Sequence, residues 1–154
     1  MPLYHPVTGL PIKALFHDRL TQAVALAARR KRHFAIVQLA IHGAEDLDNQ
    51  PELLQELIKR LVLQLRESDT VSRLDNSDFS ILLNDIDSRA AANAVAEELV
   101  LALQRPLAID GAPETISASH GLALFPDDGD TETAILRAAE DSLQEAQQRQ
   151  LADA

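Results

Sequence analysis

The sequence predicts an α/β fold, with helices packed around a central sheet of mixed strand direction. Three observations predict it. Segments of helical period alternate with short apolar runs along the whole chain. The run Phe34 to Ile41 is apolar almost throughout, as suits a strand buried on both faces. A hairpin interrupts the alternation at Thr70 to Asn84, which a purely parallel sheet would not contain.

Each element follows from local chemistry. The opening Pro6-Val7-Thr8-Gly9-Leu10-Pro11 is turn-rich. A helix is expected from Lys13 to about Arg32, with Leu15, Phe16, Leu20, Ala23, Val24 and Ala27 on one face. It ends in Arg29-Arg30-Lys31-Arg32, cations that favour the negative end of the macrodipole. In the strand that follows, period two sets Ala35, Val37, Leu39 and Ile41 on one face. Phe34, Ile36, Gln38 and Ala40 take the other. Pro51 opens a second helix to about Glu67, with Leu53, Leu54, Leu57, Ile58, Leu61 and Leu65 as its apolar stripe. Val71-Ser72-Arg73 and Phe79 to Leu83 form the hairpin strands around Asp75-Asn76-Ser77-Asp78. A third helix runs from about Ser88 to Gln104, before Pro106. Strands follow near Leu107-Ala108-Ile109 and from Ile116 to Leu124. Pro126-Asp127-Asp128-Gly129 turns the chain, and Asp130 or Thr131 caps a last helix to about Gln150.

Composition bounds the function. The 154 residues suit one domain over residues 1–154, at a prior of ~150 residues per domain. Lys and Arg number 14 against 24 Asp and Glu, a net charge of −10 that argues against nucleic acid as a partner. Cysteine is absent, which removes disulfides and thiolate metal sites. The start Met1-Pro2-Leu3-Tyr4-His5 is unlike a leader, and no apolar run reaches the ~18 residues of a membrane span, so a cytoplasmic location without membrane insertion is expected. There is no Gly-rich phosphate loop, nucleophile elbow or His-Glu-x-x-His pair. His5, His17, His33, His42 and His120 lack ligand spacing, and His120 is expected as a hydrogen-bonded core histidine. The acidic pairs Asp46/Asp48, Asp85/Asp87 and Asp127/Asp128 fall in turns.

At the hairpin a family pattern enters. Arg66-x-x-Asp69-x-x-x-Arg73-Leu74, then five residues ending in Phe79, then Ile81-Leu82-Leu83, resembles the signature region of the GGDEF family of bacterial diguanylate cyclase domains. His5-Pro6-Val7-Thr8-Gly9-Leu10-Pro11 is similar to the family's Asp-Pro-Leu-Thr-Gly-Leu-Pro. Phe16-x-Asp18-Arg19-Leu20 resembles the next helix as found in proteins that pair this domain with an EAL phosphodiesterase domain. Ile116-Ser117-Ala118-Ser119-x-Gly121-x-Ala123-Leu124-Phe125-Pro126 is similar to the late strand. Leu136-Arg137-Ala138-Ala139-Glu140-x-x-Leu143-x-x-Ala146 resembles the final helix. The resemblance covers nearly the whole chain and implies a palm-like, nucleotidyl-cyclase-type architecture with about five strands. Active members join two GTP molecules into cyclic di-GMP, using two carboxylates to hold Mg²⁺.

Against that pattern this chain departs at the chemistry. Its signature reads Asp75-Asn76-Ser77-Asp78-Phe79, with Asp75 and Asn76 in place of two glycines and Ser77 at a metal-ligand position. Ala40 stands where the first strand of the family carries the other metal carboxylate. A methyl group and a neutral hydroxyl are poor partners for a cation that wants charged oxygens. Glu45 and Asp48 replace the family's lysine and guanine-reading asparagine, about six residues are missing between Asn49 and Pro51, and Gln147 matches a phosphate-contacting lysine. The resemblance therefore implies a degenerate, catalytically silent copy, no catalytic residue, and no cofactor, Mg²⁺ entering only if activity is retained.

What remains is a regulatory or interaction module in cyclic di-GMP signalling. The alternatives are a cyclic di-GMP receptor and an active cyclase. Arg66-Glu67-Ser68-Asp69 stands at the spacing of the family's inhibitory site, where Arg66 would engage cyclic di-GMP and Asp69 a guanine edge. The structural alternative has Arg66 end its helix and Asp69 cap the turn. Glu97 and Glu98 occupy the positions of that site's second arginine. An EAL phosphodiesterase domain in the same longer protein and a homodimer are the further expected partners.

Overall fold

Lys13–Arg30 forms helix α1, whose Phe16, Leu20, Ala23 and Ala27 recur at helical spacing and are buried. It stops two residues before the expected Arg32, because Lys31 turns into the left-handed region at φ 52°. The computed structural model describes residues 3–5, 8–43, 47–73, 78–109, 112–114 and 116–152. Strand β1 spans Phe34–His42, and after a 3-10 turn at Leu47–Asn49 comes helix α2, Pro51–Gln64, with its proline in the first turn as expected. Strands β2, Thr70–Ser72, and β3, Phe79–Asn84, are followed by helix α3, Arg89–Gln104. Strands β4, Leu107–Ile109, β5, Ala112–Glu114, and β6, Ser117–Phe125, lead to helix α4, Glu132–Ala152.

The central sheet has four strands in the order β2-β3-β1-β6, and every neighbouring pair is antiparallel. This corrects the expectation of about five strands in mixed directions. The crossover through α2 does return β2 in the direction of β1, but β3 is inserted between them. Likewise α3 returns β6 in the direction of β3, with β1 between. Two interleaved split βαβ units thus leave no parallel neighbours. The strand expected near Leu107 is real but lies in a separate ribbon, β4 paired with β5, Leu107 opposite Glu114.

The faces of β1 divide as its period predicts. Ala35, Val37, Leu39 and Ile41 join one core with Leu53, Leu57 and Leu61 of α2 and Ala92, Ala96, Leu99 and Leu103 of α3. Phe34 and Ile36 join the other, with Phe16 and Leu20 of α1 and Ile135 and Ala139 of α4. Truncating one such leucine to alanine typically costs ~2–5 kcal/mol. The rings of Phe34 and Phe125 stack at 4.6 Å between centroids across the β1–β6 pair. At Gly121 the α4 backbone comes so close that a Cβ would stand 2.1 Å from the Leu143 nitrogen.

Polar groups fix the helix ends. Ser88 accepts the Ala91 N–H at 3.1 Å as the cap of α3, and Thr131 rather than Asp130 accepts the Ala134 N–H at 3.1 Å. The Arg60 guanidinium donates to the carbonyls of Ala102, Arg105 and Pro106 at 3.0, 2.6 and 3.1 Å, tying α2 to the C-terminus of α3. Among the described residues, no helix is long and apolar enough to cross a membrane.

Candidate functional site

The signature turn joins β2 to β3, and its Asp75, Asn76 and Ser77 lie outside the described residues, as do Glu45 and Asp46. Its flanks are defined. The Phe79 side chain is fully buried, and the Arg73 guanidinium lies 5.8 Å from its ring centroid. Asp78 donates its N–H to the Leu39 carbonyl at 2.9 Å and accepts the Ile41 N–H on Oδ2 at 2.6 Å. The carboxylate nearest the signature thus continues the β1–β3 ladder past its last pair, Leu39 with Phe79.

Ala40 sits between those two contacts, only 9% exposed, opposite Ser119 of β6. Ser119 is buried; its hydroxyl donates to Gln150 Oε1 at 2.6 Å and contacts His42 Nε2 at 2.8 Å. Around Ala40 the described residues thus place the Ser119 hydroxyl, the Gln150 amide and the His42 ring on the β6 side, and the Asp78 carboxylate at the neighbouring Ile41 amide. Gln147, one helical turn before Gln150, is half-buried. Among the described residues no group of three His, Asp or Glu comes together to hold a metal.

Arg66 and Asp69 lie at the opposite end of the sheet. The Asp69 side chain is 3% exposed. Its Oδ2 accepts the Arg66 N–H at 2.9 Å, and its Oδ1 accepts the Asn84 N–H at 3.2 Å. The Arg66 side chain, 54% exposed, pairs with Asp69 through Nε at 3.4 Å and donates to the Asn84 carbonyl through Nη2. Asn84 closes the loop by donating Nδ2–H to the Ser68 carbonyl at 2.6 Å. The motif is thus a clip that stops α2 at Gln64, short of the expected Glu67, and fastens the turn to the end of β3. Glu97 and Glu98 are exposed on α3. Sequence reasoning did not foresee Asn84 or Ile41 in these roles; the only signal was a turn-forming asparagine at a strand end.

His120, expected in the core, is instead half-buried in a cleft of ≈ 210 Å³ between α3 and α4, beside Asn93, Ser142 and Arg149. The outer strand position of β6, with no further strand beside it, explains the exposure. Burial lowers the imidazole pKa below its ordinary value; Glu97 opposes that shift and Arg149 adds to it.

Comparison with known proteins gives this geometry a context. The chain is 33% identical over 142 residues to the bifunctional diguanylate cyclase/cyclic di-GMP phosphodiesterase MucR of Pseudomonas aeruginosa, covering 88% of this chain and 21% of MucR. It is 30% identical over 141 residues to the diguanylate cyclase TpbB of the same species, covering 87% of this chain and 32% of TpbB. It thus spans about a fifth to a third of the length of these curated relatives. The isolated GGDEF domain of TpbB superposes with a TM-score of 0.87 at 28% identity, over 95% of this chain and 89% of that one. The family model described as diguanylate cyclase, GGDEF domain, matches residues 3–152. A match of that extent, on a sheet of this order and with a solved GGDEF domain superposing over nearly its whole length, means that the chain belongs to the GGDEF domain family.

Proposed function

We propose that this is a catalytically silent GGDEF-type domain that serves as a regulatory or interaction module in cyclic di-GMP signalling. The observation that carries the reading is Ala40. At the β1 position that the resemblance gives to a metal carboxylate stands a nearly buried methyl group, opposite the Ser119 hydroxyl that is bonded to Gln150. The nearby carboxylate, Asp78, is held by the Ile41 amide. Mg²⁺ wants several charged or carbonyl oxygens in near-octahedral array, and these residues do not fit it. Without such counter-charge a triphosphate has nothing to stabilise its reaction, and removing even one electrostatic stabiliser typically costs ~10²–10³ in rate.

The module role draws support from MucR, whose name joins a diguanylate cyclase and a phosphodiesterase in one protein. An EAL domain in the same protein is the partner this reading favours. The receptor alternative through Arg66 and Asp69 takes no support from the geometry, since the carboxylate that would read a guanine edge is buried against two backbone amides.

The test is direct. The chain, dimerised through a fused coiled coil, is incubated with GTP and Mg²⁺ beside the TpbB GGDEF domain as positive control. No cyclic di-GMP above the protein-free blank is expected from this chain. Product above the blank overturns the reading.

A further inference from the structure

The run Arg29-Arg30-Lys31-Arg32 reads in the sequence as a solvated helix end, yet its surroundings are those of a contact surface. All four residues are exposed. The helix dipole is worth about half a charge at this terminus, so four cations exceed what it calls for. Among the described residues, the side chains of Arg29, Arg30 and Lys31 engage no acidic partner, while Arg32 pairs with Asp85 at 3.3 Å on open surface. Lys31 also holds the left-handed position at the helix end that glycine usually fills.

Beside this run opens a pocket of ≈ 230 Å³. Its lining joins the apolar Ala23, Leu26, Ala27 and Phe34 to Arg19 and to the Arg32–Asp85 ion pair. Leu26 is 44% exposed although it belongs to a helix whose inner face is fully packed. Three cations without an acidic partner next to an apolar recess, on a chain of net charge −10, are charge segregated to one place.

From this we infer that the C-terminal end of α1 docks an acidic peptide segment carrying one apolar anchor residue, which seats against Leu26 and Phe34 while its carboxylates face Arg29, Arg30 and Lys31. A membrane fits less well. The recess is concave, and the rest of this acidic molecule would be repelled by anionic lipid. The inference rests on the interaction-module reading, but its test needs no GTP, so the two fail separately: that reading by cyclic di-GMP synthesis, this one by the absence of peptide binding.

The experiment titrates ¹⁵N-labelled chain with a short synthetic peptide of Asp and Glu around a central Leu. A second peptide has Gly in place of the Leu. The expected result is amide shifts confined to the end of α1 and the start of β1, weakened by raising NaCl from about 50 to about 200 mM. Arg29→Ser/Arg30→Ser/Lys31→Ser should weaken binding about tenfold, the sum of several modest screened pairs. Leu26→Ser should bring the Leu peptide down to the affinity of the Gly peptide. All four positions are exposed surface, and circular dichroism checks that each variant folds. Equal binding of the two peptides, unchanged affinity of the triple variant, or shifts elsewhere would overturn the proposal. So would sedimentation of the chain with phosphatidylserine vesicles while the peptide leaves the spectrum unmoved.

Discussion

At each end of the central sheet an aspartate accepts a backbone N–H. Asp78 takes that of Ile41 at the signature end, and Asp69 takes those of Arg66 and Asn84 at the other. What differs is the company they keep. Around Asp69 the family-like Arg66 is present, and it is used to hold the chain together. Around Asp78 the backbone contacts are made, while Ala40 beside them carries only a methyl group. A motif can persist because the backbone needs it, so the letters Arg-x-x-Asp argue less for a ligand than their spacing suggests. Conversely, a side chain with no backbone duty, such as that of Ala40, can change without harm to the sheet.

The comparison breaks first, and most visibly, at Asp69. Asp69→Ala removes two hydrogen bonds to a buried carboxylate, and at ~1.5–3 kcal/mol for a bond to a charged group the expected loss is about 3 kcal/mol in urea unfolding. Arg66→Ala should cost about 1 kcal/mol or less, because its side chain is more than half exposed and its ion pair is screened. Were Asp69→Ala to unfold at the wild-type midpoint, the clip would be no clip, and cyclic di-GMP binding would regain its claim on the motif.

At the signature end the reverse substitution is informative. Ala40→Asp puts a carboxylate into a site 9% exposed, beside the Asp78 carboxylate that holds the Ile41 amide, at an expected cost of about 2 kcal/mol. Millimolar Mg²⁺ should not recover that loss, since no second carboxylate is free to share the ion. In Ala40→Asp/Ser77→Asp it should, as a rise in Tm with metal concentration. A neutral Ala40→Asp would mean that this end still has room for its old chemistry, and the contrast between the ends would disappear.

How far this was legible in the sequence depends on the range of the forces involved. The alternation in β1 sorted its faces correctly, because burial on a strand has period two whatever the neighbours are. Pro51 and Ser88 fixed helix starts, being local chemistry. Strand direction was not legible: which strand is inserted between β1 and β2 is decided by contacts distant in sequence. The β4–β5 ribbon has a signal, Asp110-Gly111 between two short runs, but Pro113 lacks a strand donor, which weakens the second run as a strand. At the site, the absence of a carboxylate at position 40 could be read residue by residue. The burial of Asp69 could not, since it depends on the end of β3 arriving beside the turn.

The smallest expected effect lies on the outer strand, at His120 opposite Leu39. Burial holds its pKa below the ordinary 6.5, with Glu97 opposing and Arg149 reinforcing the shift. Below 6.5 and down to the lowered folded value, the unfolded chain therefore binds a proton that the folded chain refuses. Stability from this group is full above pH 6.5 and declines as pH falls through that window. His120→Gln abolishes the difference, so the drop in Tm between about pH 7.5 and about pH 5.5 should be shallower in the variant than in the wild type. Every other group is common to both proteins and cancels from the comparison. An identical or steeper drop in the variant would mean that the cleft solvates the imidazolium as water does, and that His120 carries none of the acid sensitivity.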